Sequence, residues 1–198
     1  RFQPHTDSLA KPALPFLNLP IISYPLFYLQ QAGITEIAIN THHLPATVEQ
    51  SVQNLDVDLN TQFLNEQPQI LDSAGGILNA REALEGEADF IVANADALML
   101  TDKNFLQAAL AEHKQQNALA TLVTCDKLGA GVNFGAIWSD FDDQVKAIGR
   151  DIHDKDLFAK HFTVFYILNE KIFDLIPKDK PSHIFNDILI PRLTSEKI

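Results

Sequence analysis

The sequence predicts an α/β fold in which a mostly parallel mixed sheet is flanked by helices in three layers. Helical and strand-like patterns alternate over residues 20–115, which is typical of strand-helix-strand units with parallel strands. Residues 90–93 form a short apolar run, as expected of a strand that is buried on both faces. Apolar residues make up 46% of the chain, which suits a globular domain with a substantial core. Sheets of this kind bind ligands at the carboxyl ends of their strands.

The first half of the chain supplies the alternating elements. Residues 20–33 predict a helix, because Pro20 suits the first helical turn, Gly33 suits a C-terminal cap, and apolar residues recur at helical spacing between them. A polar turn that contains His42 and His43 follows the strand predicted at 35–40. The predicted strands and helices after the first helix are a strand at 35–40, a helix at 45–54, a helix at 76–84, the strand at 90–93 and an amphipathic helix at 102–115.

The second half has shorter strands separated by Gly and Asp turns, which indicates a mixed extension of the sheet. Cys125, the only cysteine, lies in an apolar run and is expected to be a buried strand thiol. The predicted elements are strands at 119–125, 134–138, 145–148 and 162–168 and a last helix at 183–193. The 198 residues are expected to form a single domain.

Composition excludes several classes of function. The formal net charge of −11 would repel a polynucleotide, so no nucleic-acid partner is expected, although a few local cations can still hold a small phosphorylated ligand. No apolar run approaches the roughly 20 residues of a membrane helix, and the N-terminus lacks a signal-like apolar region. The sequence therefore predicts a protein without a membrane partner. The single cysteine suits the reducing cytoplasm, and the oligomeric state is left open.

Asp96 is the strongest candidate for metal binding. It follows the buried strand at 90–93 together with Asn94, so its carboxylate is expected at the ligand-binding edge of the sheet. Mg²⁺ typically takes one or two protein carboxylates and fills its other positions with phosphate oxygens and water. A turn-capping role for Asp96 is the competing interpretation, and the local sequence alone favours it.

Two other segments could contact a nucleotide. The run Leu71-Asp-Ser-Ala-Gly-Gly-Ile77 opens a helix with small residues, whose backbone amides can approach a base or phosphate closely. An N-cap followed by glycines for close packing explains this run equally well. Near the N-terminus, Lys11 lies in a Pro-stiffened segment where its ammonium could meet phosphate, although a solvated surface lysine is the simpler alternative.

The order of these three segments resembles the sugar-1-phosphate nucleotidyltransferase family over nearly the whole chain. Asn94-Ala-Asp96 matches the family's Asn-Gly-Asp motif, and residues 18–26 and 32–43 resemble its next helix and strand. The family's signature loop is a Gly-rich turn that ends in Gly-Thr-Arg and continues with Pro, Thr, Lys-Pro and Pro. Its latter half is matched by Arg1, Pro4, Thr6, Lys11, Pro12 and Pro15. The resemblance implies a three-layer Rossmann-like nucleotidyltransferase fold.

The resemblance also implies roles for residues at the matching positions. The substrates would be a nucleoside triphosphate and a sugar 1-phosphate, and the cofactor would be Mg²⁺ bound by Asp96. The implied catalytic residues are Arg1, Lys11 and Asp96, and the implied nucleotide-binding residues are Ser73, Ala74, Gly75, Gly76 and Asn94.

Glu66 and the segment from Leu71 to Ile77 are most similar to N-acetylmuramate-1-phosphate uridylyltransferases within the family. This similarity implies UTP and N-acetylmuramate 1-phosphate as substrates in cell-wall recycling, with Glu66 and Thr163 binding the substrate. Guanylyl- and cytidylyltransferases share the architecture, and a few contacts decide the choice of base.

Departures from the family pattern leave a second function open. Val164 stands where the family has Gly, and would narrow the sugar side of the site. The chain is expected to lack the first strand, the Gly-rich loop and the C-terminal segment that holds the second metal ligand. A catalytically inactive homologue that binds a nucleotide or sugar is therefore the alternative to an enzyme.

Overall fold

Four α-helices and nine strands form the regular structure of residues 2–99, 101–102 and 104–198, which the computed structural model describes. Arg1, one of the predicted catalytic residues, lies outside the described residues. The helices are α1 (Ser23–Gln31), α2 (Pro45–Gln53), α3 (Asp72–Asn79) and α4 (Phe105–Gln116). The strands are β1 (Pro15–Phe16), β2 (Leu19–Pro20), β3 (Glu36–Thr41), β4 (Asn60–Asn65), β5 (Asp89–Ala93), β6 (Ala120–Cys125), β7 (Ala136–Ser139), β8 (Val145–Gly149) and β9 (Phe158–Asn169).

Strands β3 and β4 form a parallel pair joined through α2. The crossover helix starts at Pro45, which suits a first helical position because that backbone nitrogen needs no partner there. Val48 and Val52 are one turn apart on α2 and pack with Ile39 of β3 and Leu26 of α1 in one buried cluster. This strand-helix-strand unit agrees with the alternation seen in the sequence.

The long strand β9 organises a second, five-stranded sheet. It pairs antiparallel with β5, β6 and β7, and β7 also pairs with β8. The predicted α/β fold is confirmed, but among the strands of the described residues only β3 and β4 pair in parallel. Strands β7 and β8 are joined by a short turn, which connects antiparallel neighbours, and β9 then returns to pair on the other side of β7.

Helices cover both faces of this second sheet. On one face Phe90 and Leu168 pack with the C-terminal segment, including Ile184 and Ile188. On the other face Phe165 packs with Tyr28 of α1 and Leu106 of α4. The sheet and its two covers give the expected three layers, and the carboxyl end of β5 emerges between them.

Two details of the sequence prediction are wrong. Cys125 is exposed because it is the last residue of β6, where the strand leaves the core. The helix predicted over 183–193 is a π-helical segment at Ile184–Leu189 and a 3-10 turn at Ile190–Arg192. Pro191 lies in that turn and lacks the N–H group that a continuous α-helix requires. No helix in the described ranges is long and apolar enough to cross a membrane.

Candidate active site

Asp96 lies in the turn directly after β5. The backbone N–H of Asn94 donates to the Val164 carbonyl at 3.3 Å, and the N–H of Ala97 donates to the Asn94 carbonyl at 3.2 Å. These two bonds fix the turn through backbone groups, so the turn does not depend on the Asp96 carboxylate. The Asp96 side chain is 27% exposed, which leaves it accessible to a ligand.

The Asp96 carboxylate pairs with the Lys11 ammonium through Oδ2. Lys11 starts a 3-10 turn with Pro12, and the neighbouring Ala10 donates its backbone N–H to the Thr47 hydroxyl at 3.1 Å. Ala10 is buried, so this anchor holds the backbone beside Lys11. The structure thus brings together two predicted site residues that lie 85 positions apart.

The Lys11–Asp96 pair contributes little to folding, because exposed ion pairs stabilise proteins by roughly 0–1 kcal/mol. Its side chains are 45% and 27% exposed, respectively. Each side chain can therefore exchange its partner for a ligand without loss of the fold. The ammonium can bind a phosphate, and the carboxylate can bind a cation.

The donor set at this edge suits Mg²⁺ that arrives with a phosphate. Among the described residues no three His, Cys, Asp or Glu side chains cluster as a preformed metal site. A single accessible carboxylate fits an ion that takes its other oxygens from phosphate and water. Asp96 is the residue that would hold the ion, and the adjacent Lys11 would hold the phosphate.

Residues 73–76, called the small-residue turn below, lie in the first turn of α3. The N–H groups of Ala74 and Gly75 both donate to the Ser182 carbonyl, at 2.8 and 3.4 Å, and the Ser73 hydroxyl accepts the Ile184 N–H at 2.9 Å. A Cβ atom at Gly75 would lie 2.8 Å from Leu71 Cβ. Close packing therefore requires a glycine at position 75, and two of the predicted nucleobase-facing amides hold the C-terminal segment in this structure.

Glu66 fixes the loop that leads into α3. Its carboxylate is buried, and Oε2 accepts the Leu71 N–H at 2.9 Å. The Asn40 side-chain amide donates to the Gly76 carbonyl at 2.7 Å, and a Cβ atom at Gly76 would lie 3.0 Å from both Asn40 Nδ2 and Glu66 Oε1. In the described structure these contacts connect Glu66 and the small-residue turn to β3.

Sequence reasoning did not single out Asn40 as a site residue. It stands near the carboxyl end of β3, as Asn94 stands just beyond the end of β5. The signal was therefore present in the sequence: a polar amide at the end of an apolar strand.

Thr163 lies beside a distortion of β9. Pairing with β6 shifts by two residues here, since Leu122 faces Tyr166 whereas Thr124 faces Phe162. The Thr163 hydroxyl donates to the Val123 carbonyl at 2.8 Å. The bulge brings the backbone of residues 163–164 to the end of β5, where the Val164 carbonyl receives the Asn94 N–H.

Val164 has a left-handed backbone with φ of +65°. A β-branched residue is rarely found in this conformation, which is strained by roughly 1–3 kcal/mol and is often seen beside functional sites. The strain lies next to Asn94, at the same edge as Asp96.

A buried polar network begins at the opposite end of β5. His113 is 1% exposed, and its ring nitrogens contact Asp89 Oδ1 at 3.2 Å and the Thr121 hydroxyl at 2.8 Å. Asp89 also accepts the Asn169 side-chain amide at 2.8 Å. Burial lowers the pKa of His113 below its ordinary value of 6.5, although the nearby Asp89 carboxylate opposes this shift. Sequence patterns did not reveal this network, because its members come from four separate elements.

The relatives of the chain include proteins named as sugar-1-phosphate uridylyltransferases. The family profile described as Nucleotidyl transferase matches residues 1–194. The N-acetylmuramate alpha-1-phosphate uridylyltransferase of Neisseria meningitidis is 37% identical over 109 residues, covering 54% of this chain and 46% of that protein. The UTP–glucose-1-phosphate uridylyltransferase of Synechocystis is 26% identical over 205 residues, covering 98% of this chain and 52% of that protein.

Solved structures share the fold at low sequence identity. A crystal structure of apo UDP-glucose pyrophosphorylase matches with a TM-score of 0.78 at 19% identity, covering 100% of this chain and 84% of its own. HddC from Yersinia pseudotuberculosis matches with a TM-score of 0.74 at 23% identity, covering 100% of this chain and 82% of its own. The chain spans about half the length of the curated relatives that it matches.

Proposed function

Since the chain belongs to the nucleotidyl transferase family, we propose that the full-length protein transfers a nucleoside monophosphate from a nucleoside triphosphate to a sugar 1-phosphate. The products are a nucleotide sugar and pyrophosphate. The observation that carries this proposal is the exposed Lys11–Asp96 pair at the carboxyl end of β5. This pair offers one group for phosphate and one for a divalent cation at the edge where α/β sheets bind ligands.

The reaction is an in-line displacement at the α-phosphorus. A phosphate oxygen of the sugar 1-phosphate forms the new P–O bond, and the bond to the β-phosphate oxygen breaks and releases pyrophosphate. The attacking oxygen is already anionic, so the protein does not need to remove a proton from it. Catalysis therefore depends on positioning the two substrates and on stabilising charge on the phosphate oxygens.

Each member of the charge pair has a defined task in this proposal. The Lys11 ammonium leaves Asp96 and binds the triphosphate through its negatively charged oxygens. The turn that Lys11 forms with Pro12 holds it in position for this contact. The Asp96 carboxylate, once released from Lys11, would hold Mg²⁺. When bound, the ion neutralises charge on the phosphate oxygens. In the free protein the two side chains neutralise each other.

We further propose UTP and N-acetylmuramate 1-phosphate as the substrates, with Glu66 and Thr163 on the substrate side of the site. The support is the 37% identity over 109 residues with a protein named for that activity. The proposed setting is the cytoplasm, where such an enzyme would act in cell-wall recycling.

An assay of pyrophosphate release tests the proposed function. The full-length protein is supplied with Mg²⁺ and with each common nucleoside triphosphate in turn, together with N-acetylmuramate, glucose or mannose 1-phosphate. We expect release only when both substrates are present, with the highest rate for UTP and N-acetylmuramate 1-phosphate. No release with any pair would favour the inactive binding homologue, and a preference for another pair would overturn the substrate assignment alone.

A further inference from the structure

The side chain of Asn40 joins the carboxyl end of β3 to helix α3. Its amide donates to the Gly76 carbonyl at 2.7 Å, and its oxygen accepts the Asn79 side-chain amide at 3.1 Å. A Cβ atom at Gly76 would lie 3.0 Å from Asn40 Nδ2, so the close approach depends on glycine there. Both asparagines are exposed, and neither bond is needed to satisfy a buried polar group.

The two elements that Asn40 joins belong to different hydrophobic cores. Ile39 of β3 lies in the buried cluster that includes side chains of α1 and α2. Ala74 and Ile77 of α3 lie in a separate cluster with side chains of β5 and β9. The Asn40 side chain therefore bonds across the boundary between two cores. Removal of its two hydrogen bonds should leave both cores packed but loosen the position of one relative to the other.

The proposed nucleotide site spans the same boundary. The small-residue turn of α3, for which the family resemblance implies nucleotide contacts, lies on one side. Lys11, which is proposed to bind the triphosphate, lies on the other side, because its neighbour Ala10 belongs to the cluster of β3. A nucleoside triphosphate has its base and its phosphates at opposite ends, so it has to reach both sides at once.

Asn40 lies between these two parts of the site. It lines a cavity of about 580 Å³ together with Lys11. A second cavity, of about 720 Å³, is lined by both Asn40 and Asp96. Through its bonds to Gly76 and Asn79 the same side chain contacts the helix that carries the small-residue turn. Asn40 is thus adjacent to the proposed phosphate and cation groups and bonded to the proposed base-binding element.

We propose that Asn40 is a positioning residue for nucleotide binding, which fixes the spacing between the small-residue turn and the Lys11–Asp96 pair. The inference rests on the proposed function, because it concerns a nucleoside triphosphate bound at that site. A ligand that spans two well-spaced subsites gains affinity, since binding at one subsite raises its effective concentration at the other. When the spacing is loose, the ligand must order the protein as it binds, and part of this gain is lost.

Binding of three ligands by variants of the full-length protein tests this proposal. Calorimetric titration with Mg²⁺ present measures the dissociation constants of a non-hydrolysable analogue of the preferred nucleoside triphosphate, of its nucleoside and of inorganic tripolyphosphate. The nucleoside and the tripolyphosphate each occupy one subsite only. Asn40→Ala removes both hydrogen bonds, and Asn79→Ala removes one of them. Asn60→Ala is the matched control, because Asn60 is exposed and bonds Glu36 at the opposite end of the same strand pair.

We expect Asn40→Ala to weaken binding of the triphosphate analogue by about threefold to tenfold, and binding of the nucleoside and of tripolyphosphate by less than about twofold. Asn79→Ala should show a smaller loss of the same kind, and Asn60→Ala should show none. In the pyrophosphate assay of Asn40→Ala, KM for the nucleoside triphosphate should rise by a similar factor, whereas KM for the sugar 1-phosphate should not.

Two results would overturn the proposal and leave the proposed function in place. One is unchanged binding of the triphosphate analogue by Asn40→Ala. The other is a loss that falls equally on the analogue and on either of its parts, since this would mean a direct contact or general damage rather than altered spacing. If the unsubstituted protein binds no nucleoside triphosphate, the proposed function and this inference are both wrong.

Discussion

The two ends of β5 carry aspartates in opposite environments. Asp89, at the start of the strand, has a side chain only 10% exposed and contacts His113 and Asn169. Asp96, just beyond the end of the strand, is 27% exposed and pairs with the 45% exposed Lys11. The Asp89 carboxylate is thus enclosed by protein partners, whereas the Asp96 carboxylate is partly exposed to solvent beside the long lysine side chain.

This difference predicts a structural role for Asp89 and a functional role for Asp96. A buried carboxylate must keep its hydrogen-bond partners, because an unpaired buried charge is strongly destabilising. An exposed carboxylate can exchange its partner at little expense in stability. We therefore expect Asp89 to affect mainly folding and Asp96 to affect mainly activity.

The largest expected effect is on activity. Asp96→Asn keeps the size of the side chain but removes the charge that would hold Mg²⁺, so pyrophosphate release by the full-length protein should fall by about 10³-fold or more. The free energy of unfolding should change by less than about 1 kcal/mol.

Asp56→Asn is the matched control, since Asp56 is exposed and lies between α2 and β4, before rather than after a strand. Its rate should equal that of the unsubstituted protein. An Asp96→Asn rate close to that of the control would remove Asp96 from the catalytic residues.

The second effect is on stability. Asp89→Ala leaves the buried His113 ring and the Asn169 amide without their shared acceptor, and should lower the free energy of unfolding by about 2–4 kcal/mol. Urea unfolding measures the loss. Asp174→Ala, which removes an exposed partner of Arg81, should change the same quantity by less than about 1 kcal/mol. Equal losses in the two variants would contradict a structural role for Asp89.

The third effect is a pH dependence of stability. The pKa of His113 is lowered in the folded state. As the pH falls below about 6.5, the His113 side chain therefore takes up a proton in the unfolded chain but stays neutral in the folded protein until the pH is lower. Stability should be unaffected by this group above that pH and should fall as the pH decreases below it, by at most about 1.4 kcal/mol per pH unit.

Urea unfolding between pH 7.5 and about pH 5 measures this slope, and His113→Gln provides a side chain that does not titrate. The slope should be shallower in the variant. An unchanged slope would mean that other groups cause the pH dependence.

The smallest effect concerns the strained residue beside the site. Val164→Gly should raise the free energy of unfolding by about 1 kcal/mol, because glycine adopts a positive φ without steric strain. Val164→Ala keeps a Cβ atom and should not show this gain, which makes it the appropriate control in thermal unfolding. Equal stability of the two variants would mean that the backbone at position 164 is not significantly strained.

Periodicity and end signals in the sequence predicted the strand-helix-strand unit and the position of Asp96 after a buried strand. The family resemblance implied that Lys11 and Asp96 belong to one site, but their direct pairing was not predicted, because local patterns do not show which distant side chains meet. The π-helical C-terminal segment and the exposure of Cys125 were missed, since they depend on how the chain packs. Ser182 is a similar case: its carbonyl receives two amides of the small-residue turn, and nothing in its local sequence indicates this contact.

The central claim, that Asp96 holds the catalytic divalent cation, is tested most directly by electron paramagnetic resonance of Mn²⁺ bound in place of Mg²⁺. The full-length protein, its Asp96→Asn variant and the Asp56→Asn control are titrated with Mn²⁺ in the presence of a non-hydrolysable UTP analogue. We predict at least about tenfold weaker Mn²⁺ binding by Asp96→Asn than by the other two proteins. Equal affinities in all three would contradict the claim.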